Sequence, residues 1–193
     1  MATEKKQQLL DTALRLFVEQ GIQATATAKI AKQANVATGT LFHHFANKQE
    51  LVMTLYHEIK SDLGQAIDQP EAHDDLHALV HHYWQHALQW AVDNPQKLQF
   101  LQQIANNPQF GISQQQEVMS ASMAFLIDVI KQGQQQGELA SLPLDLVLNY
   151  CHYHYLATAT LFVEQPELAR QQAYQDGAFQ MFWQGLAAIR ELA

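Results

Sequence analysis

Thr27-Ala28-Lys29-Ile30-Ala31-Lys32-Gln33-Ala34-Asn35-Val36-Ala37-Thr38-Gly39-Thr40-Leu41-Phe42-His43-His44-Phe45 is the stretch on which the reading of this chain turns. Ile30, Ala31 and Ala34 recur at helical spacing and predict a short helix over about 27–34. Asn35 follows, a residue that tolerates the left-handed backbone a tight inter-helix turn needs. A second short helix is expected over about 38–44. Two short helices joined by a tight turn and braced by a preceding amphipathic helix match a DNA-reading unit. They equally match an ordinary three-helix cap with no nucleic-acid role.

The brace lies upstream. Leu10, Ala13, Leu14 and Phe17 form one helical stripe that ends at Gly21, the residue type that closes helices most readily. Downstream, Asn47 and Glu50 have the spacing of a capping box. They open a long helix on which Leu51, Leu55, Ile59, Leu63 and Ile67 fall four apart. Further helices are expected over about 72–93, 96–106, 112–136, 144–164 and 167–191, with Pro95, Pro108, Pro143 and Pro166 near their starts. No stretch alternates with period two for long enough to make a strand. The expected fold class is all-α, with about nine helices: a three-helix head over residues 1–50 and a larger helical body over 51–193.

Composition first discourages a nucleic-acid partner and then supports one. The 193 residues carry a formal net charge of −8. Residues 1–50 hold six Lys/Arg (Lys5, Lys6, Arg15, Lys29, Lys32, Lys48) against four acids, net +2, so the remainder is net −10. Such asymmetry suggests separate tasks for the two parts. A hydrophobic content of 48% with 16% charged residues argues against a disordered chain. The single cysteine excludes an internal disulfide framework and fits a reducing compartment, so a cytoplasmic location is expected. No apolar run is long enough for a membrane span, and Met1 to Leu9 does not read as a secretory signal.

Leu10-Asp11-Thr12-Ala13-Leu14-Arg15-Leu16-Phe17-Val18-Glu19-Gln20-Gly21 resembles the start of the TetR (tetracycline-repressor-like) family of bacterial regulators. So do Ile30-Ala31 with Ala34-Asn35-Val36, and Gly39 to Phe45 with Asn47-Lys48. The resemblance implies a recognition helix over 38–45 that enters the major groove of a palindromic, double-stranded operator. It implies DNA contacts from Thr25, Thr27, Lys29, Thr38, Gly39, Thr40, Phe42, His43, His44 and Lys48, while Leu41 and Phe45 act as core anchors. Lys48 would meet a phosphate together with a helix N-terminus. Several positions depart from the family pattern. Ala26 stands where Ser or Thr commonly caps, leaving Thr25 and Thr27 as its neighbours. Ala37 replaces Ser, so Thr38 is expected to cap instead; Thr38 is itself neutral where Lys or Arg is frequent, and Phe42 replaces Tyr. These changes reduce the expected phosphate contacts and predict modest, salt-sensitive affinity per head, with a homodimer needed for tight binding.

The resemblance also implies that the body dimerises through its last two long helices and encloses a pocket for a small-molecule effector. Leu144, Val147, Leu148, Cys151, Tyr155, Ala159 and Phe162 keep helical spacing, as do Phe179, Phe182, Trp183, Leu186 and Ile189; they suit a dimer seam or an internal core. Small residues at Ala157 to Thr160 permit close helix approach. Tyr83, Trp84, Leu88, Phe100, Ile104, Phe110, Met119, Met123, His154 and Tyr155 are the candidate ligand-binding residues for a mostly apolar effector, although a plain core uses the same residue types.

His73, His77 and His81 lie four apart, as do His82 and His86, with Asp74, Asp75 and Cys151-His152 as further donors. Residues so spaced share a helix face and could bind Zn or Ni, or form a pH-responsive stripe. No compact metal signature accompanies them, so no metal site and no cofactor is assigned. Cys151 sits in an apolar stripe, and no nucleophile elbow, phosphate loop or dinucleotide fingerprint occurs, which argues against an enzyme. The rival readings are a metal-responsive regulator using the His-rich helix and a helical protein-interaction adaptor that no longer binds DNA.

Overall fold

A computed structural model describes residues 2–67 and 75–188. Eleven helices run along them: α1 (Ala2–Gln20), α2 (Thr27–Gln33), α3 (Thr38–His44), α4 (Lys48–Ile67), α5 (Leu76–Asp93), α6 (Pro95–Ala105), α7 (Ile112–Ser122), α8 (Ala124–Gln135), α9 (Leu144–Glu164), α10 (Pro166–Ala169) and α11 (Gln172–Gln184). There is no β-strand among the described residues; a lone antiparallel bridge pairs Leu139 with Ala187. No helix among them is long and apolar enough to cross a membrane.

Eleven replaces the expected nine because two predicted helices are broken. The 112–136 segment breaks at Met123, whose backbone (φ −141°, ψ 46°) leaves the helical region. Gly64 on α4 accommodates that break: a Cβ there would stand 2.6 Å from the Ser122 carbonyl oxygen. Because the obstacle is backbone, Gly64→Ala is expected to lower stability by about 1–2 kcal/mol despite alanine's better helix propensity. Urea denaturation checks this; an unchanged or higher midpoint would show that the α7–α8 break can move away. The 167–191 segment divides between α10 and α11, and α11 stops at Gln184, after which Leu186 to Ala188 bond back to Glu138–Ala140.

The residues group into two compact units, Met1–Ile59 with Gln96–Gly111 and Lys60–Pro95 with Ile112–Ala193. In the first, the inward stripe of α1 (Leu9, Leu10, Ala13, Leu16, Phe17) is fully buried with Ile30, Leu41 and Phe45. The helix ends at Gly21 (φ +84°), whose N–H reaches Phe17 O at 2.8 Å. Helix α6 packs here although it follows α5 in sequence. Phe100 stacks on Phe17 (centroids 6.0 Å apart), and Gln103 donates to Phe17 O at 2.8 Å and accepts from Ile22 N at 3.1 Å. Beyond the three-helix head expected over 1–50, the packed unit runs on to Ile59 and takes in α6 through these contacts.

The second unit is built on α5, α9 and α11. Trp84 stacks on Phe182 at 4.5 Å, Trp90 Nε1 donates to Asp62 Oδ2 at 2.9 Å, and the Tyr155 hydroxyl donates to Ala87 O at 3.2 Å. Val147, Leu148, Tyr155, Ala159 and Phe162 on α9, with Phe179, Phe182 and Leu186, are buried within the chain. The stripe offered as a dimer seam is therefore mainly internal core, Leu144, Cys151 and Trp183 being half-buried at its edge. The large exposed apolar residues of α9 are Leu146, Tyr153 and Leu161 and those of α11 are Tyr174 and Met181, with Met181 67% exposed. Ile189 lies outside the described residues.

Candidate nucleic-acid interface and ligand cavity

Local chemistry shapes the head. Helix α2 closes through Asn35 at φ +53°, with Val36 N bonded to Ala31 O (3.0 Å) and Asn35 N to Lys32 O (3.2 Å). This pair of bonds satisfies the last carbonyls and turns the chain sharply into α3. Leu41 is buried on the inner face of α3, and Phe45, just past its end, is buried beside it. Thr38, Gly39, Phe42 and His43 are exposed, with Thr40 and His44 half-buried. Phe42 is 47% exposed, and around Gly39 a Cβ would meet nothing within 4 Å, so the outward face is unobstructed.

The caps differ from expectation. Helices α2 and α3 start after Ala26 and Ala37 with no side-chain cap bond; Thr38 is the first residue of α3, not its cap. Thr25 leaves the DNA-contact set: it is fully buried, and its hydroxyl lies 2.8 Å from Gly21 O and 3.2 Å from Leu16 O, tying the α1–α2 turn. Thr27 is half-buried and Lys29 exposed, its ammonium 2.6 Å from Gln20 Oε1. At α4, Asn47 Oδ1 accepts from Glu50 N (2.9 Å), while the Glu50 carboxylate accepts from Ala46 N (2.7 Å), one residue further back than a capping box predicts. Lys48 donates to Gln23 O at 3.1 Å, and partial burial lowers its pKa.

The second unit holds a cavity of about 120 Å³. Tyr83, Trp84, Met119, Met123 and Tyr155 line it, five of the ten ligand-binding candidates. The other five do not. Phe100, Ile104 and Phe110 are buried in the first unit, Leu88 borders a different groove, and His154 packs against Trp84, Tyr150 and Phe182. Apolar residues that build a core and those that wall a pocket are the same types, so type alone did not separate them.

Lys60 and His152 are the polar residues that sequence reading missed as parts of this wall. Lys60 is 2% exposed, and its Nζ lies 3.2 Å from His152 Nδ1. Burial pulls the lysine pKa down to about 8. Burial, with the lysine charge second, holds His152 well below its usual range. Burial also pushes the Cys151 thiol up to about 12 and raises the Tyr155 phenol. His152 Nε2 and Trp84 Nε1 are buried without a hydrogen-bond partner. The signal was available: Lys60 falls in the inward stripe of α4 with Tyr56, Ile59, Leu63 and Ile67.

The α5 histidines serve packing. His77 lies edge-on to Phe179 and Trp183, His81 sits 4.4 Å from the Phe179 ring, and His86 Nδ1 lies 2.9 Å from His82 O. His73 and Asp74 fall outside the described residues. Among the described residues, no three His, Cys, Asp or Glu converge to hold a metal ion.

Comparison with known proteins places these features in a lineage. The profile of the bacterial regulatory proteins, tetR family, matches residues 9–55. A crystal structure from Shewanella sp. PV-4, assigned to the tetR family of transcription regulators, superposes with TM-score 0.91 and 40% identity, covering 96% of this chain and 99% of that one. The HTH-type transcriptional repressor KstR2 of Mycobacterium tuberculosis is 27% identical over 160 residues, 76% of this chain and 75% of its own. The uncharacterized HTH-type transcriptional regulator YvkB of Bacillus subtilis is 43% identical over 63 residues, 33% of each chain. In relatives matched through the head alone, the chain spans about a third of their length.

Proposed function

This chain belongs to the tetR family of bacterial regulatory proteins, and from that premise we propose a homodimeric repressor that a small, mostly apolar effector releases from a palindromic operator. The observation that carries the DNA-binding half is the unobstructed outer face of α3, with Thr38, Gly39, Phe42 and His43 presented to solvent. Thr38 and Thr40 offer hydroxyls to base edges, Gly39 admits close approach of the DNA backbone, and Phe42 suits a thymine methyl. His43, His44, Lys48, Lys29 and Thr27 serve the phosphates.

Dimerisation is supported by Leu146, Tyr153 and Leu161 on α9 and Met181 on α11, which leave apolar surface uncovered on the two longest elements of the second unit's C-terminal half. Two heads set to half-sites about 34 Å apart read a palindrome. An effector in the 120 Å³ cavity would favour the conformation in which that spacing is lost. A repressor agrees with the relative named as one, KstR2.

Selection of bound DNA from a random pool tests this. The expected result is an inverted repeat whose binding falls steeply between low and physiological salt. Enrichment of no sequence, or of a single unrepeated half-site bound by a monomer in sedimentation, would overturn it.

A further inference from the structure

Two hollows of the second unit share a side chain. The cavity takes Val80, Tyr83, Trp84 and Ala87 from α5, and the groove that Leu88 borders takes His81, Trp84, Leu88 and Val92 from the same helix. Spacings of three and four make each set a stripe, and the two stripes are neighbours on the helix surface. Trp84 belongs to both. It is 5% exposed, so its indole stands as a partition between a cavity of about 120 Å³ and a groove of about 440 Å³.

The partition is held by ring contacts alone. The indole stacks on Phe182 with centroids 4.5 Å apart and meets the His154 ring at 5.6 Å. Its Nε1–H is buried and bonds to nothing among the described residues. A buried indole N–H usually has a partner, so this placement leaves a hydrogen bond unmade. Trp90, also on α5, shows the contrast: its Nε1 donates to Asp62 Oδ2. Swinging the Trp84 ring into the groove gives up the stack and brings the N–H among the amide oxygens of Gln85, Gln89 and Gln175.

Magnitudes show why that motion matters. The closed cavity is no larger than the ~150 Å³ apolar cavity that holds a benzene-sized guest, about six carbons. Each buried methylene contributes about fourfold in affinity, so six contribute about 4,000-fold. Carrying a two-state regulator from about 1:99 to 99:1 needs a preference of about 10⁴-fold for one state. A guest confined to the closed cavity falls short even if all of its binding favours that state.

We propose that the effector is an elongated amphiphile that displaces the Trp84 indole and joins the two hollows. Its hydrocarbon tail lies among Met119, Met123 and Leu148, and its hydrogen-bonding head lies beside Gln85, Gln89 and Arg170. This deepens the effector reading and rests on it. Leu88 and Phe162, both buried, carry the apolar surface on from the cavity into the groove, whereas Gln85, Gln89 and Arg170 are exposed at its edge.

Titration calorimetry on the full chain with hexan-1-ol, octan-1-ol and decan-1-ol tests this. One molecule is expected per chain, with decan-1-ol bound at least tenfold more tightly than octan-1-ol, two methylenes at about fourfold each. Ala169 lines the groove and not the cavity, so Ala169→Trp is expected to keep the affinity for hexan-1-ol and abolish the gain for decan-1-ol. An affinity that levels off beyond hexan-1-ol in the native protein, or a gain that survives Ala169→Trp, would overturn the joined site and leave the closed cavity as the ligand site. Binding of none of the three alcohols would overturn the effector reading with it. If Ala169→Trp does not fold, tryptophan emission decides: decan-1-ol is expected to shift it to the red in the native protein but not in Trp84→Phe, and an unmoved native spectrum would overturn the proposal.

Discussion

Replacing His44 and Lys48 together with alanine is expected to weaken operator binding by on the order of 100-fold while leaving the dimer folded. A solvent-exposed hydrogen bond contributes about 0.7 kcal/mol net, and two residues lost from each of two heads remove four of them, giving about 3 kcal/mol. Lys48 is prepared for this role: Gln23 O holds its ammonium at 3.1 Å beside the first turn of α4, where the helix dipole also favours an anion. The loss is expected to fall evenly on all operator sequences and to flatten the salt dependence, the mark of phosphate contacts rather than base contacts. Fluorescence anisotropy across a salt series measures both. Unchanged affinity would remove these residues from the interface; loss of dimer or fold in the variant would assign them to structure.

Lys60→Met is expected to raise stability at neutral pH, by about 2 kcal/mol. A lysine that titrates near 8 when folded and near 10.5 when unfolded costs about 3 kcal/mol at pH 7, because the unfolded chain holds the proton more tightly. The sign follows. Below about 8 both states are protonated and the penalty is complete; between 8 and 10.5 the folded chain binds fewer protons, so native stability rises with pH. Methionine matches the lysine stem in length, and the lost partner of His152 Nδ1 returns about 1 kcal/mol of the gain. For a chain of this size the net is a Tm increase of about 4–8 °C at pH 7, vanishing at pH ~10 and reversing above it. Calorimetric scans at pH 7 and pH 10 check it; a lower Tm at pH 7 would mean that the ammonium stabilises the fold. A residue that costs stability at neutral pH, set in a cavity wall, fits a functional role.

Much of the head was legible because its determinants are local. The left-handed Asn35, the close at Gly21, the Asn47 cap and the inward Leu41 and Phe45 all follow from short-range turn chemistry and helical period. What was not legible depends on residues far apart in sequence. The recruitment of α6 rests on Phe100 meeting Phe17, and the break at Met123 on a neighbouring helix carrying Gly64. The α9 stripe was legible as a stripe, but its inward direction was not: helical period shows which residues share a face, never which neighbour that face meets. The histidine spacing on α5 held, yet Phe179 and Trp183 make His77 and His81 packing partners. The cavity was half found by residue type, and its polar end was missed because a lysine is ordinarily assigned to solvent even inside an apolar stripe.

Cys151, the chain's one cysteine, has its thiol pushed up to about 12 by burial. At neutral pH almost none of it is thiolate, the form that maleimides and disulfide-linked reagents attack. Labelling of the native thiol at neutral pH is thus expected to be slow. A cysteine installed at an exposed site such as Gln49, in the first turn of α4, is expected to take a spin label or fluorophore far faster than Cys151. The separation of two heads in a dimer then becomes a distance between two identical reporters, readable with and without effector in the native background.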